Sequence, residues 1–414
     1  MKEVGNVRRV VITGTGTISS TGANVEEMWY NVSNGISGIK RIREKEFENS
    51  ETKIGGIIDD YDIENYLDKK DIKKTDRFSH FAIMGAMQAL KQANFSNVDF
   101  DMEKCGVIIG TGIGGIHSLV ANQQVLDSKG CRRVSPVVVP KMIANMASGF
   151  VSIKTGFKGV SMCPISACAT GNQAIGEAFL KIKYGVNDAI LAGGTEASIT
   201  PLSYAGFNNM KAMSTSNEHP SKASRPFDEN RKGFVMSEGA GVIFLEELSH
   251  AKARGVNILG EVLGYGMTSD AYHMTSPNSE GAIRSMKEAL EMSKLTINDI
   301  DYLNAHATGT GIGDISETNA IKEVFQKQAD NLLISSTKSS TGHLLGAAGG
   351  IETIITLKAL EQNILPPTIN LDKNDKQCDL NYIPHSKINQ ETNIALSNGF
   401  GFGGHNATLI LSKY

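Results

Sequence analysis

Short apolar runs that end in glycine alternate along the chain with longer segments of helical periodicity. In the first part of the chain these runs are RRVVITGTG, CGVIIGTGIGG, AILAGGTEA and GAGVIFLEEL. In the second part they are ILGEVLGYG, DYLNAHATGTGIG, LLISSTKSS, NIALSNGFGFGG and ATLILS. Continuously apolar strands are typical of sheets whose two faces are both covered by helices. The pattern therefore predicts an α/β fold.

A five-residue repeat indicates that this α/β unit is duplicated. The sequence GTGIG follows a predicted strand at residues 110–114 and again at residues 309–313. Self-similarity of this kind is typical of internally repeated architectures. We predict a join between residues 251 and 255, so that residues 1–250 form one half and residues 251–414 the other. No proline-rich or low-complexity linker separates the halves, and we expect them to pack tightly.

Composition and charge narrow the class of protein. Of the 414 residues, 40% are hydrophobic and 21% are charged, which is usual for a globular protein. The formal net charge of -3 argues against a general attraction to nucleic acid or to an anionic membrane. The start of the chain reads as a strand rather than a secretory signal, and no segment is apolar for long enough to span a membrane. Five cysteines without C-x-x-C spacing argue against disulfides and zinc, and we expect a reducing, cytoplasmic compartment.

Cys168 lies in MCPISACATGNQAIGEAF, where a short apolar run gives way to a helical pattern that Gly185 can end. The unpaired N–H groups and the dipole at a helix N-terminus favour the thiolate, which is the nucleophilic form of cysteine. Small neighbours leave the sulfur accessible. The alternative is a small buried hydrophobic residue. That alternative fits the other cysteines better, namely Cys105, Cys131, Cys163 and Cys378.

A nucleophilic cysteine usually works with histidine. His306 in LNAHATGTG and His343 in STKSSTGHLLGAAGG follow predicted strands, and the ends of strands are where α/β folds bind ligands. The glycine-rich loop NGFGFGGHN, at residues 398–406, is either a flexible turn or part of an oxyanion hole with the N–H of Cys168. Four further histidines are interpreted as surface or packing residues: His80, His117, His250 and His385.

Taken together, these motifs resemble the β-ketoacyl-acyl carrier protein synthases, most closely type II of bacterial fatty acid synthesis. The resemblance runs from RRVVITGTG to ATLILS and includes SACATG, NAHATGT, SSTKSSTGHLLGAAGG, TSDAYHMTSP, LPPTINLD and GFGFGG. It implies a thiolase-like fold with two similar α/β halves in five layers (α-β-α-β-α) and a homodimer. It also implies decarboxylative Claisen condensation without a metal or an organic cofactor.

The resemblance implies roles for particular residues. Cys168 would carry the acyl chain as a thioester, while His306 and His343 would bind the malonyl thioester carbonyl and stabilise the enolate. Lys338, paired with Glu352, would orient the site electrostatically. Phe402 would be the gating phenylalanine, and its N–H would complete the oxyanion hole.

The resemblance also implies contacts with the substrate and its carrier. Thr308 and Thr310 would bond the pantetheine amides, and Thr275, Ile113 and Phe402 would also contact substrate. Acyl carrier protein, bearing acyl- or malonyl-phosphopantetheine, is acidic and would dock on a basic patch. The alternative for this patch is an ordinary solvated surface. The docking residues would be Lys70, Lys73, Lys74, Arg132, Arg133 and Lys211.

Three positions carry a different residue from the one that is usual in this family. His405 replaces threonine, while Gly399 and Gly309 each replace serine, beside the gate and the pantetheine channel.

A polyketide ketosynthase is the alternative function that the residues leave open. A chain-length factor would lack the nucleophile, and a thiolase would need a second cysteine near the C-terminus. VVITGTGTIS lacks the third glycine of a dinucleotide site, and GTGIGG lacks the ending of a P-loop.

Overall fold

The computed structural model describes residues 7–414, so residues 1–6 of the predicted first half lie outside the described part. Its strands are β1 Val10–Ser19, β2 Lys40–Arg41, β3 Ile54–Gly55, β4 Cys105–Gly110, β5 Ser161–Met162, β6 Ala189–Glu196, β7 Gly239–Glu247, β8 Gly260–Ser269, β9 Tyr302–Asn304, β10 Leu333–Ser335, β11 Ile364–Leu365, β12 Ile388–Asn389, β13 Ile394–Gly401 and β14 His405–Ser412. Its α-helices are α1 Val25–Ser33, α2 Lys69–Ile72, α3 Arg77–Gln92, α4 Ile116–Lys129, α5 Val138–Met142, α6 Met146–Thr155, α7 Thr170–Lys183, α8 Pro201–Asn209, α9 Leu248–Arg254, α10 Ser279–Ser293, α11 Gly311–Phe325, α12 Lys338–Thr341 and α13 Ala348–Gln362. Each of the nine predicted apolar runs forms a strand.

One ten-stranded sheet runs through the molecule in the order β10-β9-β13-β14-β8-β1-β7-β6-β4-β5. Five strands come from each half, and the halves meet where β1 pairs antiparallel with β8. Outward from this junction, β1, β7 and β6 pair antiparallel and β6, β4 and β5 pair parallel. The strands β8, β14, β13, β9 and β10 repeat the same sequence of orientations. The predicted duplication is therefore present in the sheet topology.

The repeated GTGIG sequence follows equivalent strands of the two halves. Its first copy begins at the end of β4, and its second copy follows β9 in the same position of the other half. The boundary between residues 250 and 251 stays a prediction, because the sheet is continuous across the junction.

Helices cover both faces of the sheet in layers. Helices α7 and α13 pack against each other between the two halves, and nearly every residue of α13 from Ala348 to Leu360 is buried. A helix that is apolar all round belongs inside a protein. Helices α3 and α6 cover the outer face of the first half, and α10, with α11 beside it, covers that of the second. The layers therefore follow in the order outer helices, strands of the first half, central helices α7 and α13, strands of the second half, and outer helices. This arrangement of five layers confirms the thiolase-like architecture.

Backbone contacts backbone in the middle layer. A Cβ atom on Gly171 of α7 would lie 2.6 Å from the backbone nitrogen of Gly350 in α13. A Cβ atom on Gly350 would lie 2.2 Å from the carbonyl oxygen of Gly241 in β7. No larger residue fits at either position without moving the backbone, so these glycines set the distance between the central helices and the sheet.

Three local predictions need correction. Cys163 follows β5 rather than lying within a strand, and its sulfur contacts the carbonyl oxygen of Ala144 at 3.2 Å. Cys131 is exposed, not buried. His343 does not follow a strand directly, because the short helix α12 lies between β10 and this residue. Within residues 7–414, no helix has the length and apolar character needed to cross a membrane.

Candidate active site

A cavity of about 600 Å³ lies between the two halves. The first half contributes Cys168 and Phe207 of α8 to its wall, and the second half contributes His306, His343 and Phe402. The predicted nucleophile and both predicted histidines therefore face one space, although up to 175 residues separate them along the chain.

Cys168 lies in a short 3₁₀ turn, Ala167–Ala169, that continues directly into α7. Ala167 has a φ of +50°, a region that residues other than glycine rarely occupy. This turn presents the sulfur to the cavity immediately before the helix begins. The predicted position of Cys168 at a helix N-terminus is confirmed, and α7 ends two residues before Gly185.

Two imidazoles converge on the sulfur. The Nε2 atom of His343 lies 3.0 Å from the Sγ atom of Cys168. The rings of His306 and His343 meet edge to face, with 5.4 Å between their centroids. The sulfur and one nitrogen of each ring all lie within 4.8 Å of one another. A proton can therefore pass between Cys168 and His343, and both rings can contact a group bound beside the sulfur.

Burial disfavours the charged form of all three groups. It raises the pKa of the Cys168 thiol to about 12, and Lys338 offsets only part of this effect. Burial also lowers the pKa of His306 and His343 well below the usual value, and the positive charge of Lys338 lowers it further. Burial therefore acts against the thiolate that the helix N-terminus favours, and a resting thiolate stays a prediction.

Lys338 and Glu352 form the predicted ion pair. Lys338 begins α12 and Glu352 lies on α13, and the Nζ atom of Lys338 bonds the Oε1 atom of Glu352 directly. Only 1% of the Lys338 side chain and 3% of the Glu352 side chain are exposed. Because a buried charge is costly without a partner, each side chain requires the other.

The glycine-rich loop at residues 398–406 approaches the turn that holds Cys168. A Cβ atom on Gly401 would lie 2.4 Å from the carbonyl oxygen of Ser166 and 3.0 Å from the backbone nitrogen of Cys168. The backbone of Phe402 lies close enough to the sulfur of Cys168 to lower the pKa of this thiol. The loop therefore brings the Phe402 backbone next to the sulfur, and the oxyanion hole stays a prediction.

The five predicted substrate-contacting residues all line the cavity: Ile113, Thr275, Thr308, Thr310 and Phe402. The hydroxyls of Thr308 and Thr310 lie 3.2 Å apart. The four histidines interpreted as packing or surface residues are not among the residues that line this cavity. His80, for example, is buried between Tyr61 and Thr75.

All six predicted docking residues are exposed. Lys211 also lines the cavity, next to Met210. Lys70, Lys73 and Lys74 lie on or just after α2, while Arg132 and Arg133 lie in the 3₁₀ turn Cys131–Arg133. These five do not line the cavity, so their part in docking stays a prediction.

The cluster of one cysteine and two histidines has donor atoms that zinc or copper prefers. The ammonium of Lys338 lies close enough to lower the pKa of both imidazoles, and it would repel a divalent cation at the same place. The donor set therefore suits proton transfer and hydrogen bonding better than metal binding.

Two family models match the chain. The model described as "Beta-ketoacyl synthase, N-terminal domain" matches residues 7–251, and "Beta-ketoacyl synthase, C-terminal domain" matches residues 259–372. The chain belongs to the β-ketoacyl synthase family. The resemblance that the sequence motifs carried is thereby confirmed.

Relatives within the β-ketoacyl synthase family match nearly end to end. The chain is 46% identical over 409 residues to the 3-oxoacyl-[acyl-carrier-protein] synthase 2 of Synechocystis sp., covering 98% of both chains. It is 44% identical to the protein of the same name from Staphylococcus aureus strain N315, covering 98% of this chain and 99% of the relative.

Solved β-ketoacyl synthase structures share the fold. One from Burkholderia phymatum superimposes with a TM-score of 0.92 at 34% identity, covering 98% of this chain and 100% of the other. A ketosynthase of a type II polyketide system, solved in complex with its acyl-carrier protein, gives a TM-score of 0.90 at 32% identity, with 99% and 100% covered.

In this β-ketoacyl synthase, sequence analysis missed a buried acid at the end of β6. The carboxylate of Glu196 accepts hydrogen bonds from the backbone N–H groups of Gly112 at 2.8 Å and Gly346 at 3.0 Å. It also accepts bonds from the hydroxyls of Thr111 and Ser198. Burial raises the pKa of Glu196. The clue to Glu196 in the sequence was an acidic residue at the end of the apolar run AILAGGTE.

A second missed acid holds the loop of His306. Glu317 of α11 accepts hydrogen bonds from the backbone N–H of His306 at 2.9 Å and of Ala307 at 2.7 Å. Its carboxylate also accepts a bond from the side-chain amide of Asn398 at 3.0 Å. Burial raises the pKa of Glu317 to about 7. The clue to Glu317 in the sequence was a pair of acids, Asp314 and Glu317, that lie three residues apart and therefore on the same face of a helix.

Proposed function

We propose that this β-ketoacyl synthase joins an acyl chain carried on Cys168 to malonyl-acyl carrier protein by decarboxylative Claisen condensation. The product is a 3-oxoacyl-acyl carrier protein, two carbons longer than the starting chain. The observation that supports this most directly is the cluster of a cysteine sulfur and two neutral imidazoles within 4.8 Å.

The first half-reaction transfers the acyl chain to the enzyme. The thiol proton of Cys168 moves to the Nε2 atom of His343, and the sulfur attacks the carbonyl carbon of the acyl thioester. The N–H groups of Cys168 and Phe402 stabilise the oxyanion that develops. When the tetrahedral intermediate collapses, the carrier thiolate leaves and takes the proton from His343, so the imidazole is neutral again.

The second half-reaction forms the carbon–carbon bond. In the neutral tautomer of His343 that carries hydrogen on Nε2, N–H bonds from His306 and His343 hold the carbonyl oxygen of the malonyl thioester, and carbon dioxide departs. The electron pair of the broken bond remains in the enolate, which these bonds stabilise. The enolate carbon attacks the carbonyl carbon of the acyl thioester, the Cys168 sulfur leaves as a thiolate, and it takes a proton from solvent. Uncharged imidazoles suit this step, because a neutral N–H donates a hydrogen bond to the enolate oxygen but is too weak an acid to protonate the enolate.

We infer that the pathway is fatty acid elongation. Relatives named for 3-oxoacyl-[acyl-carrier-protein] synthesis reach 46% identity, whereas the polyketide ketosynthase structure is 32% identical. The acyl carrier protein as partner is supported by that polyketide ketosynthase, which was solved with its own carrier. A cytoplasmic location stays a prediction.

A product assay tests the proposed function. The enzyme is incubated with acyl-acyl carrier proteins of varied chain length and malonyl-acyl carrier protein, and the products are identified by mass spectrometry. We expect 3-oxoacyl products, and an increase in enzyme mass equal to one acyl group before malonyl carrier is added. Cys168→Ala should abolish both results, while the matched variant Cys163→Ala should retain them. Acylation that survives in Cys168→Ala would contradict the assignment, and repeated extension without release would favour a polyketide ketosynthase.

The six docking residues are proposed as the contact surface for the acidic carrier. Reversing the charges of Lys70, Lys73 and Lys74 should weaken carrier binding, and the loss should shrink as salt is added. A control set of exposed lysines, reversed in the same way, changes the net charge equally: Lys45, Lys327 and Lys376. If both sets of reversals weakened carrier binding equally, the lysines on and after α2 would be an ordinary solvated surface and not a docking site.

A homodimer is proposed from the free edge of the sheet. Strand β5 ends the sheet, and both of its residues, Ser161 and Met162, are exposed. Nearby, Ile153 on α6 is 75% exposed and Ile165 is 57% exposed. An unpaired strand edge beside exposed apolar side chains is a surface that a second copy of the chain would cover.

A further inference from the structure

The guanidinium of Arg231 holds the loop that carries Thr308 and Thr310. Its Nε atom donates to the carbonyl oxygen of Thr310 at 3.0 Å, and its Nη2 atom donates to the carbonyl oxygen of Gly311 at 2.8 Å. Only 4% of the Arg231 side chain is exposed. Both bonds engage backbone carbonyl oxygens and do not involve the two threonine hydroxyls, which lie 3.2 Å apart.

The remaining nitrogen of Arg231 is anchored on the opposite side. Its Nη1 atom donates to the Oδ2 atom of Asp375 at 2.8 Å and to the carbonyl oxygen of Asp228 at 2.9 Å. All three guanidinium nitrogens therefore have partners, and the planar group has one orientation. A lysine cannot reproduce this fork, because its ammonium is a single point of charge.

The carboxylate of Asp314 also holds the loop that carries Thr308 and Thr310. Its Oδ1 atom accepts a bond from the backbone N–H of Gly309 at 3.1 Å, and its Oδ2 atom accepts one from Phe227 at 2.8 Å. The Nε atom of Arg231 lies 3.6 Å from this carboxylate. Gly233 adds a bond from its backbone N–H to the carbonyl oxygen of Gly309 at 3.0 Å. The loop is therefore fixed at three successive residues.

We propose that Arg231, supported by Asp314, positions residues 308–311 to receive the amides of the pantetheine arm. Arg231 is thus a positioning residue for arm recognition and not a participant in bond making. This inference rests on the proposed function, in which Thr308 and Thr310 contact the arm. Arg231 does not contact Cys168, so its loss should impair recognition of the arm and leave the reactivity of the sulfur unchanged.

The test compares two acyl donors and two arginine variants. Hexanoyl-pantetheine carries the arm, and S-ethyl thiohexanoate lacks both amides. Arg231→Lys is compared with Arg225→Lys, a matched control in the same segment. Arg225 bonds Asp228 at 3.0 Å and Asp372 at 2.6 Å, and it makes no bond to residues 308–311. Acylation of Cys168 is followed by intact mass at increasing donor concentration.

We expect Arg231→Lys to lower the second-order rate of acylation by hexanoyl-pantetheine about tenfold, which is the factor given by 1.4 kcal/mol. The loss should appear as a higher half-saturating concentration with an unchanged maximal rate. S-ethyl thiohexanoate should react within about twofold of wild type, and Arg225→Lys should stay within about twofold with both donors.

A double-mutant comparison separates positioning from general damage to the fold. In a Thr308→Val, Thr310→Val background, Arg231→Lys should cause no further loss, because the groups it positions are gone. Equal losses with both donors, or an undiminished Arg231→Lys effect in the valine background, would overturn the proposal while leaving the proposed function intact. If wild-type Cys168 accepted neither donor, the proposed function would fall and this inference with it.

Discussion

Lys338 is a charged group that affects all three reactive side chains, and Glu352 is its ion-pair partner. The ammonium of Lys338 lowers the pKa of Cys168, His306 and His343 alike. Glu352 keeps that ammonium compatible with burial, since an unpaired charge in the interior is strongly destabilising. A single ion pair therefore supports both the stability of the site and the uncharged state of its imidazoles.

Replacing Glu352 with glutamine should destabilise the protein markedly. The substitution leaves the Lys338 ammonium buried without a counter-charge, at a cost of about 3 kcal/mol in the free energy of unfolding. Chemical denaturation measures the loss. The matched control is Glu361→Gln on the same helix, which removes the partial surface pair with Lys358 and should cost about 0.5 kcal/mol or less. Similar losses of unfolding free energy in the two variants would show that the buried ion pair stabilises the protein no more than the surface pair does.

The pH dependence of alkylation should reveal the protonated state of Cys168. Because burial raises the pKa of this thiol to about 12, the thiolate fraction should grow about tenfold with each pH unit across the range from 7 to 10. Iodoacetamide labelling of Cys168, mapped by peptide mass, should therefore keep rising through this range. Free cysteine, with a pKa of about 8.5, should level off. A rate independent of pH above 7 would instead indicate a thiolate paired with imidazolium.

At the scale of elements, the long strands and the helix after Cys168 were predictable because their apolar patterns are continuous. The two residues of β5 and the four of α12 carry no such pattern, and KSST has little intrinsic tendency to form a helix. Glu196 could not be assigned, because its partners Gly112 and Gly346 lie 84 and 150 residues away along the chain. Contacts of that range follow from topology and not from local sequence.

The contact between the glycine-rich loop and the cysteine turn gives a prediction for two elements together. Gly401→Ala would place a methyl group 2.4 Å from the carbonyl oxygen of Ser166. The turn must move, so acylation of Cys168 should fall by about a hundredfold, as expected when a catalytic group shifts by about 1 Å.

Gly206→Ala is the matched control for Gly401→Ala. Gly206 lies within α8, and a Cβ atom there would meet nothing within 4 Å. This change should raise the free energy of unfolding by about 0.5–1 kcal/mol and leave acylation unchanged, because alanine favours the helix. Normal acylation in Gly401→Ala would show that the loop and the turn adjust independently.

For the whole molecule, the exposed edge at β5 predicts self-association. Wild-type protein should sediment at twice the mass of the chain. Ile153→Glu combined with Met162→Arg should shift the equilibrium to monomer, because both side chains are exposed and apolar beside this edge. Val98→Glu is the control, since Val98 is 91% exposed on another surface and should leave the dimer intact. Monomeric wild-type protein at micromolar concentration would rule out the proposed dimer.

The contact of Gly171 with Gly350, and of Gly350 with Gly241, has a consequence for how this enzyme can adapt. At these contacts no side chain separates α7 from α13 or α13 from β7, so an added methyl group there would displace backbone atoms. We therefore expect the substrate range to change through loops and through side chains that line the cavity, such as Ile113 and Phe207. Libraries aimed at altered products should leave the three glycines constant and vary those wall positions.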